Sequence, residues 1–206
     1  MNDDPKKGWF FKNLANQITG IRFVAALWME FLLILEPKEK IVTAIILTFV
    51  AEISDFLDGF AATKLNIHSD FGKIADRVCD RIFVIPTLII MSCQYIEKVS
   101  QHPLLIPLMM ALSAFIIIVE IGLMILLAIT AKKKLNTGSH HVGRIKMVLQ
   151  CMAISSWQIC FAFEERGGSP LKLQYLTWIV VIFLGIAAYL GKRSLNSHWQ
   201  EYEKNR

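Results

Sequence analysis

Four aspartates fall at helical spacings within one short stretch of the chain. Asp55 and Asp58 are three residues apart and Asp76 and Asp80 are four apart, so each pair shares one face of a helix. Carboxylates gathered in this way repel one another and need a positive partner. Clustered hard oxygen ligands select Mg²⁺, Mn²⁺ or Ca²⁺ over softer metals. Two such ions bridged by carboxylates can catalyse phosphoryl transfer, so the spacing predicts a phosphoryl-transfer site.

Small residues accompany the acids. Gly59, Ala62 and Gly72 leave space for a ligand to approach the backbone closely. The alternative is that the acids only pair with neighbouring basic residues, which are Lys64, Lys73, Arg77 and Arg81. That explanation suits any single aspartate, but it does not account for the whole set at fixed offsets.

The composition indicates that the helices carrying these acids lie in lipid. Of the 206 residues, 54% are hydrophobic and 19% are charged, whereas soluble domains carry about 25% charged residues. These values exclude a disordered chain, a disulfide scaffold and an ordinary cytosolic enzyme. The four cysteines form no C-x-x-C pair and are interpreted as apolar helix residues. The net charge of +5 is assigned to a cytoplasmic membrane face rather than to nucleic-acid binding.

The hydropathy pattern predicts an all-α polytopic membrane protein, with one domain over residues 1–206. About 20 apolar residues span a bilayer, and six segments qualify. We expect a bundle of six transmembrane helices at about 18–35, 41–64, 72–96, 104–132, 142–163 and 173–190. An N-terminal interfacial amphipathic helix is expected at about 8–15, because aromatic and basic residues adjoin there.

The basic residues predict the orientation. Six crossings put both termini on one side, and seventeen of the 22 Lys and Arg residues fall on that side. Cytoplasmic loops carry such an excess. We therefore expect a multi-pass protein of a bacterial-type cell membrane with cytoplasmic termini and the aspartates near the cytoplasmic interface.

The aspartate segment resembles a family signature. Its pattern, Asp55-x₂-Asp58-Gly59-x₂-Ala62-x-x₈-Gly72-x₃-Asp76-x₃-Asp80, is similar to that of the CDP-alcohol phosphotransferases. One position departs, since Thr63 stands where the family has Arg. The resemblance implies six membrane helices and transfer of a substituted phosphoryl group from a CDP-linked donor to an alcohol, with release of CMP.

The resemblance also implies roles for the signature residues. Asp55, Asp58 and Asp76 would bind one metal ion, and Asp55, Asp76 and Asp80 the second, the ions being Mg²⁺ or Mn²⁺. Asp80 would also be the catalytic base on the acceptor hydroxyl. The small residues Gly59, Ala62 and Gly72 would contact the CDP donor.

Two further segments resemble the family members that use glycerol 3-phosphate. These are Asn16–Arg22 and Gly143-Arg144-Ile145-Lys146. The second implies that Arg144 and Lys146 bind the acceptor phosphate, with CDP-diacylglycerol as the donor. Anchoring at the cytoplasmic face is the alternative role for these two cations. A second departure is Val119-Glu120, where such members carry Arg-Glu.

Other functions stay open at this point. The acceptor could be phosphatidylglycerol, as in cardiolipin synthesis, or serine, inositol phosphate or another head-group alcohol. An inactive homologue and a small cation transporter or channel are further alternatives. The channel is disfavoured because the outer halves of the last three helices are apolar. We expect contact with membrane lipid, no nucleic-acid partner and, from the resemblance, a homodimer.

Overall fold

The computed structural model describes residues 20–21, 23–35, 41–65, 70–98, 105–132 and 141–204. The interfacial helix expected at 8–15 lies outside these residues. Within the described helices, side chains are not described at 54–76, 95–98, 131–132, 141–142, 144, 165 and 170.

All regular secondary structure in the described residues is helical, which confirms the all-α prediction. The helices are α1 (Phe23–Ile34), α2 (Ile41–Leu65), α3 (Asp70–Lys98), α4 (Leu105–Lys132), α5 (His141–Glu165) and α6 (Pro170–Lys204). The bounds of α2 to α5 agree with the predicted segments to within three residues. The sixth helix was predicted to end at about residue 190, and this end is wrong because α6 continues to Lys204.

The chain divides into two compact units between Phe83 and Val84. The first contains α1, α2 and the beginning of α3. The second contains the remainder of α3 together with α4, α5 and α6, and within it α6 packs against both α4 and α5. Helix α3 runs through Pro86, whose missing N–H leaves the carbonyl of Ile82 without its usual intrahelical bond.

The outward faces of the helices are apolar. On α1 the exposed side chains include Val24, Leu27, Trp28 and Phe31, while Met29 and Leu33 are fully buried on the other face. An apolar outward face of this kind matches lipid or another apolar surface rather than water. The exposed faces of α4 and α6 are similar, with large apolar residues at Phe115, Ile118, Ile121, Ile125, Trp178, Ile179, Ile182 and Ile186.

Three of the described helical segments are long and apolar enough to cross a membrane. They are Leu105–Thr130, Ile145–Glu164 and Leu171–Lys204, and shorter apolar helices occupy Phe23–Ile34 and Ile41–Ile53. These segments support a membrane protein. The count of six crossings stays a prediction.

A tight turn connects α5 to α6. The N–H of Gly168 donates to the Phe163 carbonyl and the N–H of Gly167 donates to the Glu164 carbonyl, both at 3.0 Å. Gly167 has a φ of +70°, so the pair of bonds forms a Schellman C-cap, in which glycine avoids the strain of a left-handed residue. Pro170 then starts α6, where its missing N–H costs nothing.

The extension of α6 packs against two other helices. A Cβ added at Gly122 of α4 would lie 3.5 Å from Leu195 Cδ2, and one at Gly143 of α5 would lie 3.9 Å from Ser194 Oγ. Ser194 is buried although Lys192 and Arg193 beside it are exposed. The average hydropathy therefore falls after residue 190 while one face of the helix stays packed, which explains the error in the predicted end.

Candidate functional site

The four aspartates lie on two consecutive helices of the first unit. Asp55 and Asp58 lie in α2, and Asp76 and Asp80 lie in α3. Asp58 comes seven residues before the end of α2, and Asp76 comes six residues after the start of α3. Both pairs therefore lie about two to three helical turns from the connection at 66–69, at 3.6 residues a turn.

That connection limits how far apart the two helix ends can be. Four residues separate Leu65 from Asp70, and an extended chain covers at most about 3.6 Å per residue, or roughly 18 Å over this distance. Ala62 occupies the last turn of α2 and Gly72 the first turn of α3. The small residues of the signature thus lie between the aspartates and the connection, with Gly59 directly after Asp58.

Asp80 is the one signature aspartate whose side chain is described, and it is half-buried. Arg77 and Arg81 precede and follow it on the same helix. The Arg81 guanidinium folds back and donates from Nη1 to the Arg77 carbonyl at 2.5 Å. One N–H of this cation is thus directed to its own helix backbone.

The donor set suits a hard divalent cation. Its members are carboxylates from two helices, with no thiol or imidazole in the signature, and such oxygens are the ligands that Mg²⁺ and Mn²⁺ prefer. Among the side chains that the structure describes, no group of three or more His, Cys, Asp or Glu residues is close enough to hold a metal ion. Asp55, Asp58 and Asp76 lie outside that set, so the two-metal site stays a prediction.

A second polar cluster joins α4 and α5 in the second unit. Lys146 Nζ lies 2.5 Å from Glu120 Oε1, forming a salt bridge. Gln150, one turn after Lys146, donates from Nε2 to the same Glu120 oxygen at 2.7 Å. Glu120 and Gln150 are each 2% exposed and Lys146 is 6% exposed. Charges buried this deeply in an apolar helix bundle are costly unless they are paired, and in membrane segments they mark functional sites.

Helix α6 passes close to the stem of Lys146. A Cβ added at Gly191 would lie 3.2 Å from Val119 Cγ1 and 3.8 Å from Lys146 Cδ. The absence of a side chain at Gly191 therefore lets α6 approach Val119 and the aliphatic stem of Lys146 closely. Three helices thus surround the lysine, and its ammonium meets Glu120.

Of the two residues predicted from sequence to bind the acceptor phosphate, the structure describes the side chain of one. Lys146 belongs to the buried cluster, whereas the side chain of Arg144 lies outside the described residues. Sequence reasoning named Glu120 only as the residue after Val119 and did not name Gln150. A signal was available, because Gln150 follows Lys146 by four residues and therefore shares its helix face. In addition, Glu120 is an acid in α4, which contains the most apolar of the three candidate membrane spans among the described residues.

The comparison with protein families identifies the class of protein. The model of the CDP-alcohol phosphatidyltransferase family matches residues 12–188. This range includes the four aspartates on α2 and α3 and the cluster on α4 and α5. The chain belongs to the CDP-alcohol phosphatidyltransferase family, as the resemblance of its signature implied.

Individual relatives in this family are more specific. The chain is 28% identical over 181 residues to the CDP-diacylglycerol--glycerol-3-phosphate 3-phosphatidyltransferase of Rickettsia felis, which covers 87% of this chain and 89% of that protein. It is 26% identical over 160 residues to the enzyme of the same name from Bacillus subtilis, covering 78% of this chain and 72% of that one. A third, from Aquifex aeolicus, is 32% identical over 81 residues, which cover 39% of this chain and 44% of that protein.

Proposed function

We propose that this protein transfers a phosphatidyl group from CDP-diacylglycerol to glycerol 3-phosphate and releases CMP, as a step in phospholipid biosynthesis. The aspartate signature on α2 and α3 carries the proposal. Family membership supports the transferase class. The names of relatives that align with most of this chain support the donor and the acceptor.

The signature aspartates divide the work of the reaction. Asp55, Asp58 and Asp76 would hold one divalent ion, and Asp55, Asp76 and Asp80 would hold the second. Mg²⁺ or Mn²⁺ bound there would lower the pKa of an alcohol and neutralise the pyrophosphate of the donor. Asp80 accepts the proton of the acceptor hydroxyl, and its half-buried position in α3 leaves it accessible to a substrate.

The small residues of the signature serve the donor. Gly59, Ala62 and Gly72 provide room for the CDP portion of the donor to approach the helix backbone. The diacylglycerol portion needs an apolar surrounding, and the exposed apolar faces of the helices supply surfaces that match lipid chains. A lipid donor and a membrane-spanning enzyme therefore suit one another.

The acceptor phosphate is assigned to Arg144 and Lys146. A phosphate monoester carries close to two negative charges near pH 7, and it would be repelled by the aspartates unless cations held it. Lys146 is a buried cation on a helix that begins at His141. Its ammonium has three N–H donors, so a bond to Glu120 is compatible with another to a phosphate oxygen.

The topology of the proposed enzyme has six crossings with both termini in the cytoplasm of a bacterial-type cell. The distribution of Lys and Arg supports this orientation. Cytoplasmic placement of the aspartates gives them access to glycerol 3-phosphate, which is water-soluble. A homodimer is the proposed assembly, on the resemblance to the family.

One assay tests the reaction and the acceptor together. Purified protein is incubated with CDP-diacylglycerol, Mg²⁺ and a panel of alcohols, and CMP release is followed. We expect release with glycerol 3-phosphate and little with glycerol, serine or phosphatidylglycerol. Equal release with uncharged alcohols would replace the acceptor by a head-group alcohol, and no release with any acceptor would refute the enzyme assignment.

Substitutions in the same assay test the residue roles. Asp80→Asn should abolish most CMP release, whereas Asp70→Asn, the same change in the first turn of α3 but outside the signature, should leave it near the wild-type rate. Lys146→Ala should raise the KM for glycerol 3-phosphate at least tenfold, or about 1.4 kcal/mol, with little change in the donor KM. A wild-type rate for Asp80→Asn would exclude it as the base.

A further inference from the structure

The buried cluster on α4 and α5 brings one carboxylate and one ammonium together, and these two charges cancel. Glu120 Oε1 and Lys146 Nζ are 2.5 Å apart. An ammonium already paired at this distance exerts a much weaker field on a second anion than an isolated ammonium does. The acceptor phosphate of the proposed function must nevertheless be attracted by Lys146. The phosphate and Glu120 are therefore two anions that compete for one cation.

The side chain of Lys146 is packed against α6 while its ammonium contacts Glu120. The stem of Lys146 lies beside Gly191 of α6, with 3.8 Å between its Cδ and the position that a Cβ would take. Lys146 is 6% exposed, and its salt bridge holds the ammonium beside Glu120. A phosphate that binds here must share the ammonium with Glu120 or draw it partly away.

Gln150 lowers the free-energy cost to Glu120 when the ammonium of Lys146 turns toward a phosphate. Its Nε2 donates to the same oxygen that accepts from Lys146, at 2.7 Å. When the ammonium turns toward a phosphate, Glu120 keeps this hydrogen bond. A buried carboxylate left without any donor would be far more costly.

We propose that Glu120 determines acceptor specificity by acting as an internal counter-ion of Lys146. This inference rests on the proposed function and deepens it. Without an acceptor, the cluster is self-compensated, so an uncharged alcohol gains nothing from contacting Lys146. Only an acceptor with a strongly charged group, such as a phosphate dianion, gains enough to compete with Glu120. The residue thus weakens acceptor binding overall while it favours phosphorylated acceptors.

The substitution Glu120→Gln tests the charge separately from the shape. Glutamine keeps an oxygen that can accept from Lys146 and Gln150, but it removes the competing negative charge. We expect the KM for glycerol 3-phosphate to fall at least threefold while the donor KM stays unchanged. Inorganic phosphate, tested as a competitor of the acceptor, should inhibit this variant at correspondingly lower concentration. Glu203→Gln is the matched control, because Glu203 is exposed on α6 and bonds only to Trp199 among the contacts described for it.

Two further variants keep the test decisive if Glu120→Gln folds poorly. Gln150→Leu removes the donor that retains Glu120, so exchange becomes more costly and the KM for glycerol 3-phosphate should rise at least twofold. The leucine also eliminates Gln150 Oε1, which is buried without a hydrogen-bond partner, so the fold should tolerate it. In a Lys146→Met background, Glu120→Gln should no longer lower the KM, because the cation for which the two anions compete is gone.

The outcomes separate this inference from the proposed function. If the wild-type protein releases CMP with glycerol 3-phosphate but Glu120→Gln leaves the KM unchanged or raises it, the counter-ion role is overturned. The same holds if Gln150→Leu lowers the KM. If the wild-type protein releases no CMP with any acceptor, the proposed function itself fails.

Discussion

Removing Lys146 alone should destabilise the fold more than removing both Lys146 and its partner Glu120. In Lys146→Met the carboxylate of Glu120 stays buried, since its exposed fraction is 2%, and it keeps the hydrogen bond from the amide of Gln150. Breaking a buried pair by deleting one partner costs about 3–5 kcal/mol. For a chain of this length each kcal/mol lowers the melting temperature by about 2–4 °C, so we expect a decrease of about 6–20 °C.

Adding Glu120→Gln to Lys146→Met should stabilise the fold rather than destabilise it further. With Lys146→Met and Glu120→Gln together, no charge is left buried, and neutral residues of similar volume often replace a buried ion pair without loss. We expect the double variant to melt above Lys146→Met and within a few degrees of the wild type. The coupling energy between the two positions is this gain in stability minus the effect of Glu120→Gln in the wild-type background, and we expect it to be at least about 2 kcal/mol, within the range for residues in contact.

Tryptophan fluorescence in detergent micelles provides the measurement. Trp157 lies on α5, the helix that carries Lys146, and is 0% exposed, so its emission should shift when this part of the bundle opens. Lys192→Met serves as the control, because Lys192 is exposed on α6 next to Gly191. The reasoning is refuted if Lys146→Met melts within 2 °C of the control or if the double variant melts below the single one.

The remaining predictions concern the metal ions and the helix contacts. EDTA should stop CMP release and Mg²⁺ or Mn²⁺ should restore it, whereas Zn²⁺ should restore it poorly because the predicted ligands are all hard oxygens; full activity in EDTA would exclude the two-metal mechanism. Asp58→Asn should lose most CMP release and still elute as a folded protein in size-exclusion chromatography, because it removes one charge from a crowded set; a wild-type rate would exclude Asp58 as a ligand. Gly167→Ala should destabilise the fold by about 1–2 kcal/mol, since φ is +70° there, and an unchanged melting temperature would contradict the C-cap. Gly191→Ala should lower the melting temperature by a few degrees, because its Cβ would lie 3.2 Å from Val119 Cγ1, and Val119→Ala in the same chain should recover part of the loss.

Local patterns explain which parts of the fold were predictable. Helix positions follow from runs of apolar residues, and the α5–α6 turn follows from Gly167 and Pro170, whose backbone preferences are intrinsic. The end of α6 was not predictable in this way. Beyond residue 190 only one face of the helix is buried, at Gly191 and Ser194, and an average over all residues loses that face among exposed charges.

In the candidate site, too, groupings within one helix were predictable from sequence and contacts between helices were not. The aspartates could be grouped from sequence because helical spacing places Asp55 with Asp58 and Asp76 with Asp80. The partner of Lys146 could not, because Glu120 is 26 residues away on another helix. Only packing of α4 against α6 and of α5 against α6 brings two such positions together, and a single sequence contains no direct record of that packing.

The departure at Val119 gains a physical meaning from this packing. The resemblance to the family implies an arginine at position 119. The valine at that position leaves one cation fewer to bind the acceptor phosphate. Val119 is 5% exposed, and its Cγ1 lies only 3.2 Å from the position that a Cβ on Gly191 would take. Val119 occupies part of the space that a side chain at 191 would need, so the longer arginine at 119 would have to be accommodated against α6 beside the stem of Lys146. Under the proposed function, a valine there makes the acceptor affinity depend more heavily on Lys146, and the strength of the bond between Lys146 and Glu120 would then be the property through which this chain adjusts that affinity.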